Sequence, residues 1–186
     1  MIHTNIKFSM AGQKCKTFLV TSPSEGEGKS TTAVNLAVSI AQQKEKVLLI
    51  DGNLRNPSLH TFLKIANSEG LTDVLTGREL FDHVVHHTEV SRLDVLTSGQ
   101  VPMNPVELLG SQMMHSLLNE KLTKYDVILI DSCALSDVTD TKLLANQVDG
   151  VILVVKNGKT KFEKAAEAKK VLEFAKARLI GAVLNQ

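Results

Sequence analysis

The sequence predicts an α/β domain built on a mainly parallel sheet, and three observations lead there. Short β-branched apolar runs alternate with longer runs of helical periodicity, the rhythm of a sheet with crossover helices. The inner runs carry no polar break, as strands covered on both faces require. With 186 residues, 43% hydrophobic and 22% charged, the chain suits one compact domain over residues 1–186, and a second full domain is not expected.

The elements follow in order. Thr17–Thr21 (TFLVT) is the first strand. Thr31–Gln43 is a helix, with Val34, Ala37, Val38 and Ala41 at helical spacing. Lys46–Ile50 (KVLLI) is a second buried strand. The stretch Asn53–Arg92 is the hardest to read, with one or two short helices expected around Ser58–Leu63 and Leu71–Leu75. Leu93–Leu96 is a short strand and Met113–Leu122 a helix. Val127–Ile130 (VILI) and Val151–Val155 (VILVV) are strands. Lys161–Lys176 is a charged, Ala-rich amphipathic helix, and Leu179–Leu184 the last strand. No internal repeat or low-complexity segment interrupts this order.

Composition narrows the function. No run of about 18 apolar residues encodes a membrane-spanning helix, and the first residues lack the layout of an export signal, so a cytoplasmic chain is expected. Lys plus Arg number 21 and Asp plus Glu 20, so net charge does not call for a polyanion partner. Trp is absent and Tyr125 is the only tyrosine, which argues against an aromatic platform for single-stranded nucleic acid. Cys15 and Cys133 have no metal-ligand spacing and read as reduced thiols.

The first strand runs into Ser22-Pro23-Ser24-Glu25-Gly26-Glu27-Gly28-Lys29-Ser30-Thr31 and then a helix. Pro23 stands where the general phosphate-loop pattern has its first glycine, so the match is to the Gly-Lys-Ser half. Gly26 and Gly28 let backbone N–H groups turn toward phosphate oxygens, and the helix aims its N-terminus at the same anion. Lys29 is expected on the β- and γ-phosphates and the Ser30 hydroxyl on Mg²⁺. A plain glycine-rich turn with a solvated lysine is the bland alternative; the strand–loop–helix order favours a nucleotide. The expected architecture is then a P-loop NTPase-like three-layer sandwich, a central sheet flanked by helices.

Two strands end in aspartate, at Asp51 and Asp131. Ligands of open α/β sheets sit beyond the carboxyl ends of strands, where a carboxylate can hold Mg²⁺ directly or through water. Capping the next helix is the alternative for each; the pair, in a chain with this loop, favours the metal. Asp131 is assigned to Mg²⁺, and Asp51 to Mg²⁺ or to the general base.

These residues resemble a known family. Pro23–Ser30 is similar to the Walker A of the bacterial tyrosine kinases (BY-kinases) of the capsular and exopolysaccharide type, Asp51-Gly52-Asn53-Leu54-Arg55 looks like their second acidic motif, and Asp131 falls on their Walker B. Gly70–Gly77, Ser98-Gly99, Pro102 with Asn104–Leu109, and Asp149-Gly150 also fit the family's layout. Partitioning and division-site ATPases of the ParA and MinD type are wider relatives with a second lysine early in the loop, where Ser24 stands here. The resemblance implies ATP·Mg²⁺ binding and γ-phosphoryl transfer to tyrosines of protein substrates. It also implies activation by the cytosolic tail of a membrane-bound polysaccharide-export partner, which would bring the chain to the inner face of the cell membrane. Lys29, Asp51 and Asp131 are the expected catalytic residues. Glu25, Gly26, Glu27, Gly28, Lys29, Ser30, Thr31, Arg55 and Asn185 are the expected nucleotide contacts, Asn185 at adenine and Arg55 at phosphate or a neighbouring subunit. Ser30, Asp51 and Asp131 are the expected metal ligands.

The chain departs from the pattern in four places. Asn53 replaces the second carboxylate of the acidic motif, so a weakened kinase is expected, or in the extreme an ATP-binding switch or a ParA/MinD-like ATPase with little phosphotransfer. Ser132-Cys133-Ala134 replaces a Pro-Pro turn after Asp131, which should loosen it, with Cys133 a small packed residue rather than a reactive one. No tyrosine cluster occurs before Gln186, so clustered autophosphorylation is not expected on this chain. The family's contact helix has no counterpart before His3-Thr4-Asn5-Ile6, which leaves a homo-oligomer open. Elsewhere, His83, His86 and His87 are read as a solvated helix face, His60 and His115 as part of no ligand pattern, and Lys161, Lys164, Lys169 and Lys170 as an exposed face. Asp137 and Asp140 are read as helix caps and Tyr125 as structural.

Overall fold

The computed structural model describes residues 16–136 and 139–186, so Cys15, the His3–Ile6 stretch and Asp137 lie outside the described residues. A seven-stranded sheet forms the centre, in the order β3-β4-β2-β5-β1-β6-β7. The strands are β1 (Thr17–Thr21), β2 (Val47–Asp51), β3 (His86–His87), β4 (Leu93–Leu96), β5 (Val127–Asp131), β6 (Gly150–Lys156) and β7 (Leu179–Asn185). All neighbours pair parallel except β3, which runs antiparallel to β4 at one edge. Between them run the helices α1 (Lys29–Ala41), α2 (Leu59–Leu63), α3 (Leu71–Leu75), α4 (Phe81–Val84), α5 (Pro105–Leu109), α6 (Gln112–Lys121), α7 (Asp140–Gln147) and α8 (Phe162–Phe174).

Successive strand residues face opposite sides of a sheet, and the apolar runs therefore feed two cores. Leu48, Ile50, Ile128, Ile130 and Leu153 join Leu71, Leu109, Met114, Leu144 and Leu172 on one face. Val47, Leu49, Val127, Leu129 and Val154 join Ala33, Leu36, Ala37 and Ile40 of α1 on the other. This is the expected three-layer P-loop arrangement, and the unbroken apolar strands are its direct consequence. All five residues of β1, β2 and β5 are buried.

The strand order matters more for function than the strand count. β5 lies between β1 and β2, so the loops that leave these three central strands are neighbours at the carboxyl ends of the strands. Asp51 and Asp131 end up as register partners on β2 and β5.

Four elements were not in the sequence reading. α4 and β3 are four and two residues long, too short to show a period. α5 begins at Pro105 after Asn104, a helix-start pattern that the chain does display. α7 begins at Asp140, which is not its cap: Thr139 holds that position, and the Asp140 carboxylate is used elsewhere. The histidine trio is corrected as well. His83 lies in α4 and contacts Glu79, whereas His86 and His87 form the edge strand, with His87 Nδ1 2.7 Å from Asp94 Oδ1. Among the described residues no group of three His, Cys, Asp or Glu side chains is placed to hold a metal. Tyr125 is structural as expected: it is buried, donates to Asp94 at 2.7 Å and meets Phe81 edge-on. Burial and Asp94 push its phenol well above the ordinary range.

Leu129 is wholly buried in the middle of β5. Leu129→Ala is expected to destabilise the fold by about 2–5 kcal/mol, because a rigid sheet flanked by α1 closes poorly around the void. The shift of the urea unfolding midpoint measures it.

Candidate functional site

The phosphate-loop candidate spans residues 22–28 between β1 and α1. Gly26 and Gly28 have φ of 71° and 87°, left-handed conformations that favour glycine. A Cβ on Gly28 would lie 2.1 Å from the Asn185 side chain, so glycine is required there twice over. Lys29 opens α1, is largely buried, and makes no ion pair with the described residues. Glu25 and Thr31 are exposed, and Glu27 is buried. The Glu27 carboxylate accepts the Ser24 N–H at 3.0 Å and the Thr160 hydroxyl at 2.6 Å.

Asp51 is fully buried at the end of β2. The chain folds back over it: Asp51 Oδ1 accepts the Asn53 N–H at 3.2 Å, and Oδ2 accepts the Ser58 and Leu59 N–H groups at 3.1 and 3.0 Å. Burial still outweighs these three donors and raises its pKa to about 6. Ser58 also hydrogen-bonds Ser30 through their hydroxyls at 3.1 Å, which ties the acidic loop to the phosphate loop. Gly52 completes the close approach. Its N–H donates to the Asp131 carbonyl at 2.9 Å, and a Cβ there would come within 2.7 Å of Ile130.

Asp131 is fully buried, and neither carboxylate oxygen has a hydrogen-bond partner of good geometry among the described residues. Burial, and then the neighbouring Asp51 charge, raise its pKa to about 7; the Ser30 hydroxyl and the Lys29 charge oppose the shift. Two acids and one lysine thus converge with Ser30 on one patch at the carboxyl ends of the strands.

The turn after Asp131 is tight, contrary to the loosening expected from its lost prolines. Ser132 Oγ donates to the Val20 carbonyl at 3.0 Å, and the Leu135 N–H to the Ser22 carbonyl at 2.9 Å. Thr21 and Thr141 hydroxyls both donate to the Cys133 carbonyl, at 2.8 and 3.0 Å. Side-chain hydroxyls do here what rigid rings do elsewhere. Cys133 is packed, as expected: burial, and then Asp140, push its thiol up to about 12, and the protonated Sγ lies 2.8 Å from Asn53 Oδ1. The Asn53 oxygen also accepts the Asn56 N–H at 3.2 Å.

Two expected contacts sit differently. Arg55 forms a two-point ion pair with the buried Asp140, at 2.8 and 3.2 Å, instead of pointing free at the phosphate position. Asn185, at the end of β7, donates through Nδ2 to the Glu27 carbonyl at 3.0 Å, so it is joined to the loop itself. Residues not singled out from sequence also enter: Ser58 on Asp51 and Ser30, and Lys159 and Thr160 on the loop. Ser58 had a legible signal as a small polar residue just before a helix. Lys159 and Thr160 had none, since they reach the loop across more than 130 residues of chain.

Comparison with known proteins agrees with this geometry. A family model described as an AAA domain matches residues 16–177. The Bacillus subtilis (strain 168) tyrosine-protein kinase YwqD is 45% identical over 184 residues, covering 99% of this chain and 78% of that protein. The kinase domain of the Escherichia coli tyrosine kinase ETK superposes with a TM-score of 0.96 at 31% identity, covering 99% of this chain and 72% of that one. The septum site-determining protein MinD of Pyrococcus horikoshii, solved with Mg-ADP, has a TM-score of 0.78 at 25% identity, over 92% and 70% of the two chains. The fold, the paired strand-end acids behind a glycine loop and the extent of the likeness lead to one conclusion: this chain belongs to the bacterial tyrosine-protein kinases, on the P-loop NTPase fold.

Proposed function

We propose that the chain is a single catalytic domain that transfers the γ-phosphoryl group of ATP to tyrosine hydroxyls of protein substrates, with Mg²⁺, in the control of capsular or exopolysaccharide synthesis. The observation that carries the site assignment is the pair Asp51 and Asp131, register partners beside a glycine loop and its lysine. In this reading Lys29 and the N–H groups of residues 25–31 hold the phosphates, and α1 adds the field of its N-terminus. The residues fit a divalent cation: neither buried oxygen of Asp131 has a hydrogen-bond partner of good geometry among the described residues, and a second carboxylate and the Ser30 hydroxyl lie beside it. Ser30 and Asp131, with Asp51 alongside, would hold it, and the ion supplies charge neutralisation at the phosphates when bound.

Asp51 is the general base of this reading. Three backbone donors fix its orientation, and its raised pKa of about 6 brings it toward the range where a carboxylate takes a proton effectively at neutral pH. Asn53 contributes a carbonyl oxygen already shared by Cys133 and Asn56, and no charge. Phosphotransfer is therefore slow relative to nucleotide binding. For Arg55 to reach phosphate it would exchange its bonds to Asp140 for the ligand. No helix among the described residues is long and apolar enough to cross a membrane. Membrane placement comes from the cytosolic tail of a membrane-bound activator, as the family resemblance implies.

The direct test is phosphotyrosine formation from labelled ATP·Mg²⁺ with a tyrosine-bearing protein substrate, with and without an activator tail. Lys29→Ala is expected to lower turnover by about 10²-fold or more. Asn53→Asp is expected to raise it by roughly tenfold while changing nucleotide affinity less. Nucleotide binding with no transfer under any of these conditions would favour the switch reading, and phosphate release alone an ATPase.

The paired acids also set a pH dependence. Both have folded-state pKa values above the ordinary 3.8, at about 6 and about 7. The folded chain thus holds protons that the unfolded chain has released, and stability falls as pH rises from about 4 to about 7. Asp131→Asn is expected to raise the melting temperature at pH 8 without Mg²⁺, on the order of 5 °C. The difference should vanish near pH 4 and shrink when Mg²⁺ and nucleotide are added to the parent. Thermal melts across this pH range measure both effects.

A further inference from the structure

The phosphate loop is braced from outside by a wall that contains none of the residues expected to touch phosphate. The turn from β6 to α8 supplies Lys159, whose ammonium donates to the Glu25 and Gly26 carbonyls at 3.1 and 3.3 Å. β7 supplies Asn185, which donates to the Glu27 carbonyl at 3.0 Å. Three consecutive carbonyls of the loop are therefore tied to the same side. No cis peptide bond occurs in the described chain, and in a planar trans peptide the N–H points opposite to the C=O. The N–H groups of Gly26, Glu27 and Gly28 must then face away from this wall, into the concavity of the loop. An anion-binding nest is defined by such convergent N–H groups.

The brace has a second layer through Glu27. Its buried carboxylate takes the Ser24 N–H with one oxygen and the Thr160 hydroxyl with the other. The same Thr160 hydroxyl accepts the Lys156 N–H at 2.7 Å, so its donor and acceptor roles are both assigned. From α8, Lys164 adds a contact to the Ser24 hydroxyl at 3.2 Å. Without the Thr160 hydroxyl, a buried carboxylate oxygen would lose a donor at 2.6 Å and Glu27 would lose its tie to the turn after β6.

We infer that Thr160 and Lys159 are positioning residues for the nucleotide: by bracing the Glu25–Gly28 backbone they orient the phosphate-binding N–H groups before any ligand arrives. The inference rests on the nucleotide reading proposed above. Preorganisation of this kind lowers the ordering cost of binding, so its loss weakens affinity more than turnover. Thr160→Val removes the hydroxyl at nearly constant shape, Thr160→Ser keeps it, and Lys159→Met removes the ammonium while keeping the stem.

Two measurements on the whole chain test this. Amide hydrogen exchange of residues 25–28, without nucleotide, reads the brace itself. Titration with MgATP, together with KM and kcat for phosphotransfer, reads its consequence. Thr160→Val and Lys159→Met should each speed exchange in the loop. Each should also raise the Kd and KM for MgATP by about tenfold with kcat changed less than about threefold. Thr160→Ser should behave as the parent, Lys159→Met should melt near the parent temperature, and Thr160→Val should melt lower, because the buried Glu27 carboxylate loses a donor. Unchanged loop exchange and affinity in Thr160→Val overturn the inference. So does a lower melting temperature in Thr160→Val with loop exchange and affinity as in the parent, since that marks a merely structural contact. If the parent itself binds no MgATP, the nucleotide reading fails, while faster loop exchange in Thr160→Val restored by serine still upholds the brace.

Discussion

Two carboxylates forced side by side in the absence of water are the constraint around which the site is arranged. Asp51 and Asp131 end neighbouring parallel strands at the same level, both are inaccessible to solvent, and the Asp51 charge adds to the cost of ionising Asp131. Such a pair destabilises an isolated fold. A bound cation would offset the charge of such a pair. The unequal provision for the two is informative. Asp51 is held by three N–H donors, as an orienting or proton-accepting group would be. Asp131 is left with open oxygens, as a metal ligand would be.

The surrounding chain keeps this arrangement rigid with local devices. Gly52 lets β2 pass within hydrogen-bond distance of the end of β5. The turn that follows Asp131 is secured by Ser132, Thr21 and Thr141 in place of proline rings. Asn53, Cys133, Arg55 and Asp140 form a polar rim in which each group meets another. The substitution of asparagine for the family's acid is therefore matched by a thiol that donates to it. At position 53 the chain gives up a charge and keeps a hydrogen bond.

The strands, the phosphate loop and the two acids were legible in the sequence because each depends on near neighbours in the chain. An unbroken apolar run marks a strand buried on both faces, and Leu48, Ile50, Ile128 and Ile130 occupy one core while Leu49 and Leu129 occupy the other. Gly26 and Gly28 announce left-handed backbone, and a lysine and serine opening a helix announce an anion site. The short elements were less legible: α4 and β3 span too few residues for periodicity to register, and His86 and His87 took a strand conformation because β4 offered an edge to pair with.

Local pattern alone thus determined the fold class and marked the glycine loop and the two strand-end acids, since strand burial, glycine turns and strand-end carboxylates are written within a few residues of one another. Only the tertiary structure decided which strands adjoin, that Arg55 answers to Asp140, and that Lys159, Thr160 and Asn185 stand behind the loop. These are contacts between residues about 85 to 160 positions apart. No periodicity or motif can encode them, because they exist only once the sheet has set its strand order and brought distant turns to the same end.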